Sequence, residues 1–248
     1  MLNLVKAEWI KLRSVRVNVV LSCLAAAFPI VIVVLVALLD GSPERQKAEN
    51  VIGLITGTMV VTALLVGVIG ALNLTGEFSH GTIRNTFAAT PQRRNVLLAK
   101  AFVGFTATVA FALAVAAICY VVGPAIYDSR GATLTFEGYH RSALLGIVLL
   151  SGLLSLLGFG LGLLIRNSPA TVVVFVLWPL LLEGLVALVL NVAGVNNSQK
   201  WLPYQSAIQM GDPSPEGDVN RWSGGLYLGA VVTVMIIVGI LVNERRDA

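Results

Sequence analysis

The sequence predicts an all-α integral membrane protein, and three observations lead to this class. Of the 248 residues, 56% are hydrophobic and 12% are charged, whereas a soluble domain carries about 25% charged residues. Six long apolar runs divide the chain, each close to the roughly 20 residues that cross a bilayer as a helix. Lysine and arginine concentrate in alternate connections between these runs. The composition excludes a soluble enzyme, a disordered chain and a basic nucleic-acid-binding module.

The N-terminal segment, residues 2–16, is predicted to be a helix that lies flat in the membrane interface. Its apolar residues recur at helical spacing among basic residues, at Leu2, Val5, Trp9 and Leu12. An apolar stripe combined with basic side chains is typical of interfacial helices. A basic flank that only fixes the orientation of the first span is the alternative.

Six transmembrane spans are predicted within a single domain that covers residues 1–248. We place them at residues 17–39, 51–74, 101–123, 143–165, 170–193 and 224–242. The first run is predicted to be a retained span, because the apolar region of a cleaved signal peptide has only about 7–15 residues. Glu183 is the one charged residue within the six runs.

The distribution of basic residues predicts the orientation of the spans. Eleven of the 17 lysines and arginines lie before the first span, in residues 75–100, in the 166–169 link or after the last span. Connections rich in lysine and arginine stay in the cytoplasm. Both chain ends and residues 75–100 are therefore predicted to be cytoplasmic, and residues 194–225 are predicted to form a long extracellular loop.

The sequence offers no basis for catalytic or metal chemistry. No G-x-x-x-x-G-K-[ST] motif is present, so no phosphate-binding loop is predicted. The two histidines, His80 and His140, fall on opposite sides of the membrane, and both cysteines lie in apolar runs. We therefore predict a protein that is not an enzyme and has no catalytic residue, no metal site and no cofactor of its own.

The connection between the second and third spans, residues 76–100, contains a predicted cytoplasmic helix. Ile83 and Phe87 are four residues apart and share one face of this helix, with Arg84 beside them. An exposed apolar pair of this kind requires a cover. The membrane interface and a groove on a partner protein are the two alternatives.

A second helix is predicted to begin within the same connection. Thr90 followed by Pro91 has the pattern of a helix N-cap with proline at the first helical position. That helix continues into the third span. The connection is therefore predicted to be a compact helix–turn–helix rather than a flexible loop.

The fifth span contains two residues with structural consequences. Pro179 has no N–H to donate to the carbonyl of Phe175, so the helix is predicted to kink or loosen there. Glu183 is an acid at membrane depth, which makes it a candidate functional residue. The alternative is a structural acid that is hydrogen-bonded to loop backbone.

The cytoplasmic connection resembles a motif of the membrane subunit of ABC-2-type transporters. That motif reads E-x-x-x-G-T-[IL]-R, then [ST]-P-x-x-R, then [LI]-x-[AG]-K. The matching residues are Glu77, Gly81, Thr82, Arg84, Thr90, Pro91, Arg94 and Lys100. The order of the segments also agrees with the family, with an N-terminal interfacial helix, six spans and a coupling helix between the second and third spans.

The resemblance implies a function and a set of partners. Such permeases work with a separate ATP-binding subunit, which holds ATP and Mg²⁺, and pair in the bilayer with a second copy or a sister permease. The coupling helix would dock on the ATPase through Thr82, Ile83, Arg84, Phe87, Arg93 and Arg94.

The chain is accordingly expected to be the permease of an exporter in a bacterial plasma membrane. The lack of charge in the spans favours an apolar or amphipathic small molecule, a lipid or a peptide as cargo. Two alternatives are a non-transporting membrane scaffold or immunity-type interaction protein, and a secondary transporter. The sequence shows no internal repeat of the kind that is common in secondary transporters.

Overall fold

The computed structural model describes residues 2–40, 47–83, 92–131, 133–195 and 198–246, and these residues contain helices but no strand. In these described residues nine α-helices follow one another: α1 Leu2–Ser14, α2 Arg16–Leu39, α3 Ala48–Ser79, α4 Arg93–Ser129, α5 Gly138–Ile165, α6 Ser168–Leu177, α7 Glu183–Val192, α8 Pro203–Ala207 and α9 Pro215–Arg246. A π-helical segment, Trp178–Leu182, joins α6 to α7. The predicted all-α class is confirmed.

Six candidate membrane-spanning helices occur in the described parts of the chain. They are α2, α3, α4, α5, the continuous α6–α7 unit and the part of α9 over Arg221–Glu244. Several extend beyond the apolar runs that predicted them. The 37 residues of α4 reach about 55 Å at 1.5 Å per residue, well beyond the roughly 30 Å of a hydrocarbon core.

The N-terminal helix α1 ends one residue before α2, the first spanning helix. Val15 separates it from α2 with an extended backbone, so the predicted helix over residues 2–16 is shorter by two residues. The Asn18 side chain spans this break, because its Nδ2 donates to the carbonyl of Leu12 at 3.3 Å. The location of α1 in the membrane interface stays a prediction.

Helix α5 lies at the centre of the bundle and packs against α3, α4 and α9. Its contact with α3 is close because small residues face each other. A Cβ at Gly158 would lie 2.1 Å from the carbonyl oxygen of Gly67, and one at Gly70 would lie 2.2 Å from that of Ser155. Glycine therefore brings the two backbones into direct contact, as is common between membrane helices.

The peripheral helices expose apolar side chains to the surroundings. Leu24 and Val31 on α2 and Leu188 and Val189 on α7 are more than half exposed or close to it. No soluble monomer presents apolar patches of this extent. Contact with lipid acyl chains accounts for such faces.

The end of the bundle opposite α1 differs from the prediction. Residues 194–225 were expected to be a long loop, but α9 begins at Pro215, and two 3₁₀ turns flank α8. The buried Arg221 explains this order: its Nη1 donates to the carbonyls of Met210 and Asp212 at 2.9 and 2.7 Å. These bonds satisfy the end of the second 3₁₀ turn and fix it to α9.

Candidate functional site

Four charged side chains meet where α1, α3 and α4 come together, and we call them the ion quartet. Glu8 and Lys11 come from α1, Glu77 from the last turns of α3 and Lys100 from α4. Lys100 Nζ lies 2.5 Å from Glu8 Oε2 and 2.7 Å from Glu77 Oε1. Lys11 Nζ lies 3.1 Å from Glu8 Oε1 and 2.9 Å from Glu77 Oε1. The N-terminal helix is thus held to both ends of the connection between α3 and α4.

The quartet is electrically neutral and mostly buried. The Lys100 and Glu8 side chains are 0% and 2% exposed, Glu77 is 13% exposed and Lys11 is 40% exposed. Burial lowers the pKa of Lys11, but its hydrogen bonds and charge contacts with Glu77 and Glu8 outweigh burial and raise that pKa above its ordinary value. Ions this deeply buried persist only when an opposite charge compensates them. Removal of one member therefore leaves its former partner as an uncompensated buried charge.

Two of the four residues were predicted and two were not. The motif resemblance singled out Glu77 and Lys100, and the structure joins them directly. Glu8 and Lys11 were assigned only to an amphipathic segment. A signal for Glu8 was present, because it is the sole acidic residue before Asp40. Its partner Lys100 is 92 positions away, and no local pattern connects the two.

The expectation that Ile83 is exposed is wrong. Ile83 is 6% exposed and packs in an apolar cluster formed by α3, α4, α5 and α9, whose buried members include Leu74, Leu97, Phe159 and Ile240. The chain itself therefore covers Ile83, and no partner protein is needed to cover it. The i, i+4 spacing shows that two apolar residues share a helix face. It does not show whether a partner protein or the chain's own core covers that face.

The other residues of the predicted docking surface that the structure describes differ in their exposure. Thr82 and Arg94 are exposed and Arg93 is half-buried. Gly81 adopts a φ of +68°, which glycine tolerates far better than other residues, and this turn ends α3. Arg84, Phe87, Thr90 and Pro91 lie outside the described residues.

A second set of contacts closes the same end of the bundle. The Arg166 guanidinium lies 5.2 Å from the ring centroid of Phe78 and also donates to Asn243 Oδ1. Asn243 in turn donates to the carbonyl of Leu163 at 3.1 Å. The ends of α3, α5 and α9 are thereby tied to one another beside the quartet.

Glu183 is the cap of another helix. Its Oε1 accepts from Trp178 Nε1 at 2.8 Å and from the Tyr204 N–H at 3.0 Å, and its Oε2 accepts from the Gln205 N–H at 2.8 Å. The two backbone donors belong to the first turn of α8, where N–H groups have no partner inside the helix. These bonds agree with the alternative of an acid bonded to backbone, although the donors lie in α8 rather than in a loop. The functional role of Glu183 stays a prediction.

Pro179 produces the geometry that Glu183 uses. The helix loosens into the π-helical segment at this residue, and the Glu183 N–H donates to the carbonyl of Trp178, five residues earlier. The predicted disturbance at Pro179 is confirmed. Burial and the charge of Glu183 raise the pKa of Tyr204 to about 12, so its phenol stays protonated beside the acid.

We expect Glu183→Ala to lower the free energy of unfolding by about 2–3 kcal/mol, because its three hydrogen bonds are lost and buried donors are left without an acceptor. Glu183→Gln keeps one acceptor oxygen and has a smaller effect. Thermal unfolding in detergent and hydrogen exchange over residues 203–207 measure both. A Gln variant that is as stable as the wild type but loses a biological activity would instead assign Glu183 a proton-linked role.

A family model described as ABC-2 family transporter protein matches residues 4–181. The match includes all four members of the quartet and all of residues 76–100, the connection between the second and third spans. No curated protein and no solved structure matches the chain. Because the match covers well over half of the sequence and agrees with six apolar helices, this multi-pass membrane chain belongs to the ABC-2 transporter family as one of its permeases.

Proposed function

We propose that the chain is the permease subunit of an ATP-driven exporter in a bacterial plasma membrane, with both ends in the cytoplasm. ATP and Mg²⁺ bind to a separate subunit, which performs the hydrolysis, and this chain catalyses no reaction. Two permeases, either two copies or a copy and a sister chain, form one pathway. Membership of the ABC-2 family implies association with an ATP-binding subunit in general. The export direction, the orientation and the pairing of two permeases are part of the proposal.

The ion quartet is the observation that supports this proposal most directly. Glu77 ends the second span and Lys100 begins the third, and both pair with α1. Lys100 pairs with the buried Glu8, and Glu77 pairs with the half-exposed Lys11. Ile83 adds an apolar anchor against α4, α5 and α9. The quartet and Ile83 thus join the end of α3 to α1, α4, α5 and α9, so a force applied at this end of the bundle reaches five helices at once.

The mechanism follows from this attachment. ATP binding closes two partner ATPases, and their motion displaces the coupling segment near Arg84. The quartet passes the displacement to α1, α3 and α4, which rock against the neighbouring spans. Cargo then crosses along the seam between the two permeases. The apolar spans favour an apolar or amphipathic cargo, such as a small molecule, a lipid or a peptide.

Phe87→Ala is expected to weaken ATPase binding by about 2 kcal/mol or more, since a truncated apolar anchor at an interface has an effect of this size. Arg84→Ala has a smaller effect if the contact is at the rim. The measurement is affinity purification of the tagged chain from native membranes, followed by quantification of the P-loop subunit that accompanies it.

Ile83→Ala is the matched control. Because Ile83 is buried within the chain, its truncation is expected to lower the stability by about 2–5 kcal/mol while ATPase binding persists in the folded fraction. Phe87→Ala shows the reverse pattern. If Phe87→Ala and Arg84→Ala together leave the ATPase bound and coupled, the docking role of residues 82–94 is wrong.

A further inference from the structure

A cavity of about 460 Å³ lies between α1 and the helices α2, α3, α4 and α5, and it is open on one side. Its size is within the range of about 300–1,000 Å³ typical of small-ligand sites. It is separate from the ion quartet, none of whose residues line it. Neither the coupling mechanism nor the packing of the bundle uses this space.

The hydroxyl groups of two buried residues line the cavity. Thr108 on α4 is 8% exposed and Ser155 on α5 is 3% exposed, and neither side chain has a partner among the described residues. Nearby hydroxyls on the same helices behave differently: Thr106 donates to Phe102 at 2.8 Å and Ser151 to Ile147 at 2.9 Å. Both hydroxyls are therefore available to donate a hydrogen bond to a molecule that enters the cavity.

The mouth of the cavity carries a positive charge and no negative one among its lining residues. Arg13, at the end of α1, lines the opening, is exposed and makes no ion pair with a described residue. Trp9 and Asn73 add an indole N–H and an amide to the lining, and no acidic residue contributes to it. The site therefore offers donors and a positive charge to its ligand.

The lining changes from charged to apolar with depth. Arg13 and Trp9 belong to α1, the helix whose Glu8 meets Lys100. Thr108 follows Lys100 by two turns on α4, which places it roughly 12 Å deeper at 1.5 Å per residue. Val66 and Phe111 line the innermost part. A phospholipid has the same order: a phosphate, then ester carbonyls that accept hydrogen bonds, then an acyl chain.

We propose that this cavity binds an anionic phospholipid from the leaflet on the α1 side. The phosphate pairs with the Arg13 guanidinium, which suits phosphate oxygens. The ester carbonyls accept from Thr108 and Ser155, and an acyl chain enters between α2 and α4 toward Phe111. The basic residues of α1 increase the local concentration of anionic lipid. Binding at this site does not depend on the proposed transport function.

Cys23 provides a direct readout, because it lines the cavity and is exposed, whereas Cys119 is buried elsewhere. In a Cys119→Ala background, the alkylation rate of Cys23 by N-ethylmaleimide is measured in detergent. Phosphatidylglycerol and phosphatidylcholine with the same acyl chains are titrated in parallel. We expect phosphatidylglycerol to slow alkylation and phosphatidylcholine to have much less effect.

Two variants test the residues of the site. Arg13→Gln is expected to require about tenfold more phosphatidylglycerol for half-protection, the effect of losing a charged hydrogen bond. The matched control, Arg16→Gln, removes an exposed arginine outside the lining and leaves protection unchanged. Ala107→Phe fills the cavity and abolishes lipid-dependent protection. Native mass spectrometry measures independently how much phosphatidylglycerol each variant retains. The variants are expected to rank in the same order as in the alkylation experiment.

The proposal is overturned if phosphatidylcholine protects equally well or if Arg13→Gln retains full protection. Equal protection by glycerol phosphate, which has no acyl chain, overturns the assignment to a lipid. These measurements use the purified chain without ATPase or transport. A negative result therefore leaves the permease proposal intact, and failure of ATPase docking leaves the lipid site intact.

Discussion

Lys100→Met is expected to lower the free energy of unfolding by about 3–5 kcal/mol, because removing one partner of a buried ion pair leaves an uncompensated charge. Lys100 is the common partner of Glu8 and Glu77 and is fully buried. Lys11 alone then faces both carboxylates. Thermal unfolding in detergent reports the loss, and limited proteolysis reports whether α1 detaches first.

Lys11→Met is the matched control for this substitution. Lys11 contacts the same two carboxylates, but it is 40% exposed, so solvent screening limits the expected loss to about 1 kcal/mol or less. The double variant Glu8→Gln with Lys100→Met removes one charge of each sign and should recover part of the stability in a double-mutant cycle. Equal losses for the two lysines, or no recovery, contradict the account of the quartet.

Gly158→Ala is expected to destabilise the bundle by about 1–3 kcal/mol or more, the range for overpacking. Its Cβ would lie 2.1 Å from the Gly67 carbonyl oxygen and 3.0 Å from the Ala71 nitrogen. Both are backbone atoms, so no change of rotamer relieves the clash. Helices α3 and α5 must separate, which also opens the apolar core between them. The unfolding temperature in detergent measures the effect.

Gly57→Ala serves as the control, because a Cβ there meets no atom within 4 Å. In a helix, alanine is favoured over glycine by about 1 kcal/mol, so this variant should be as stable as the wild type or more stable. The two substitutions are chemically identical and differ only in what the new methyl group contacts. If both variants unfold at the same temperature, the helices do not approach as closely as the structure indicates.

The six spans were predictable because crossing a bilayer imposes a length and a composition that single runs of sequence display. Helix ends were less predictable, because a helix does not need to end at the membrane surface. The early start of α5 depends on Glu137 and His140, which form a capping box. The early start of α9 depends on Arg221, whose acceptors lie in the preceding 3₁₀ turn and loop. Such tertiary partners leave no periodic signal.

The candidate site was predictable only in part, for a related reason. Glu77 and Lys100 belong to a motif, whereas the role of Glu8 arises from a contact across most of the first hundred residues. Ile83 shows the opposite error, since its spacing with Phe87 indicated an exposed face and the chain buries it. Sequence periodicity identifies an apolar face but does not identify its neighbour. The neighbour is decided by packing between distant helices.

The separation of the quartet along the chain also has a consequence for biosynthesis. α1 is the first described element to leave the ribosome, but its buried contacts require Glu77 and Lys100. Until residue 100 has been made, Glu8 has only Lys11 beside it and remains hydrated at the membrane surface. The first two spans therefore enter the bilayer before α1 has a fixed place. The helix that is synthesised first among these elements becomes anchored only when the third span arrives.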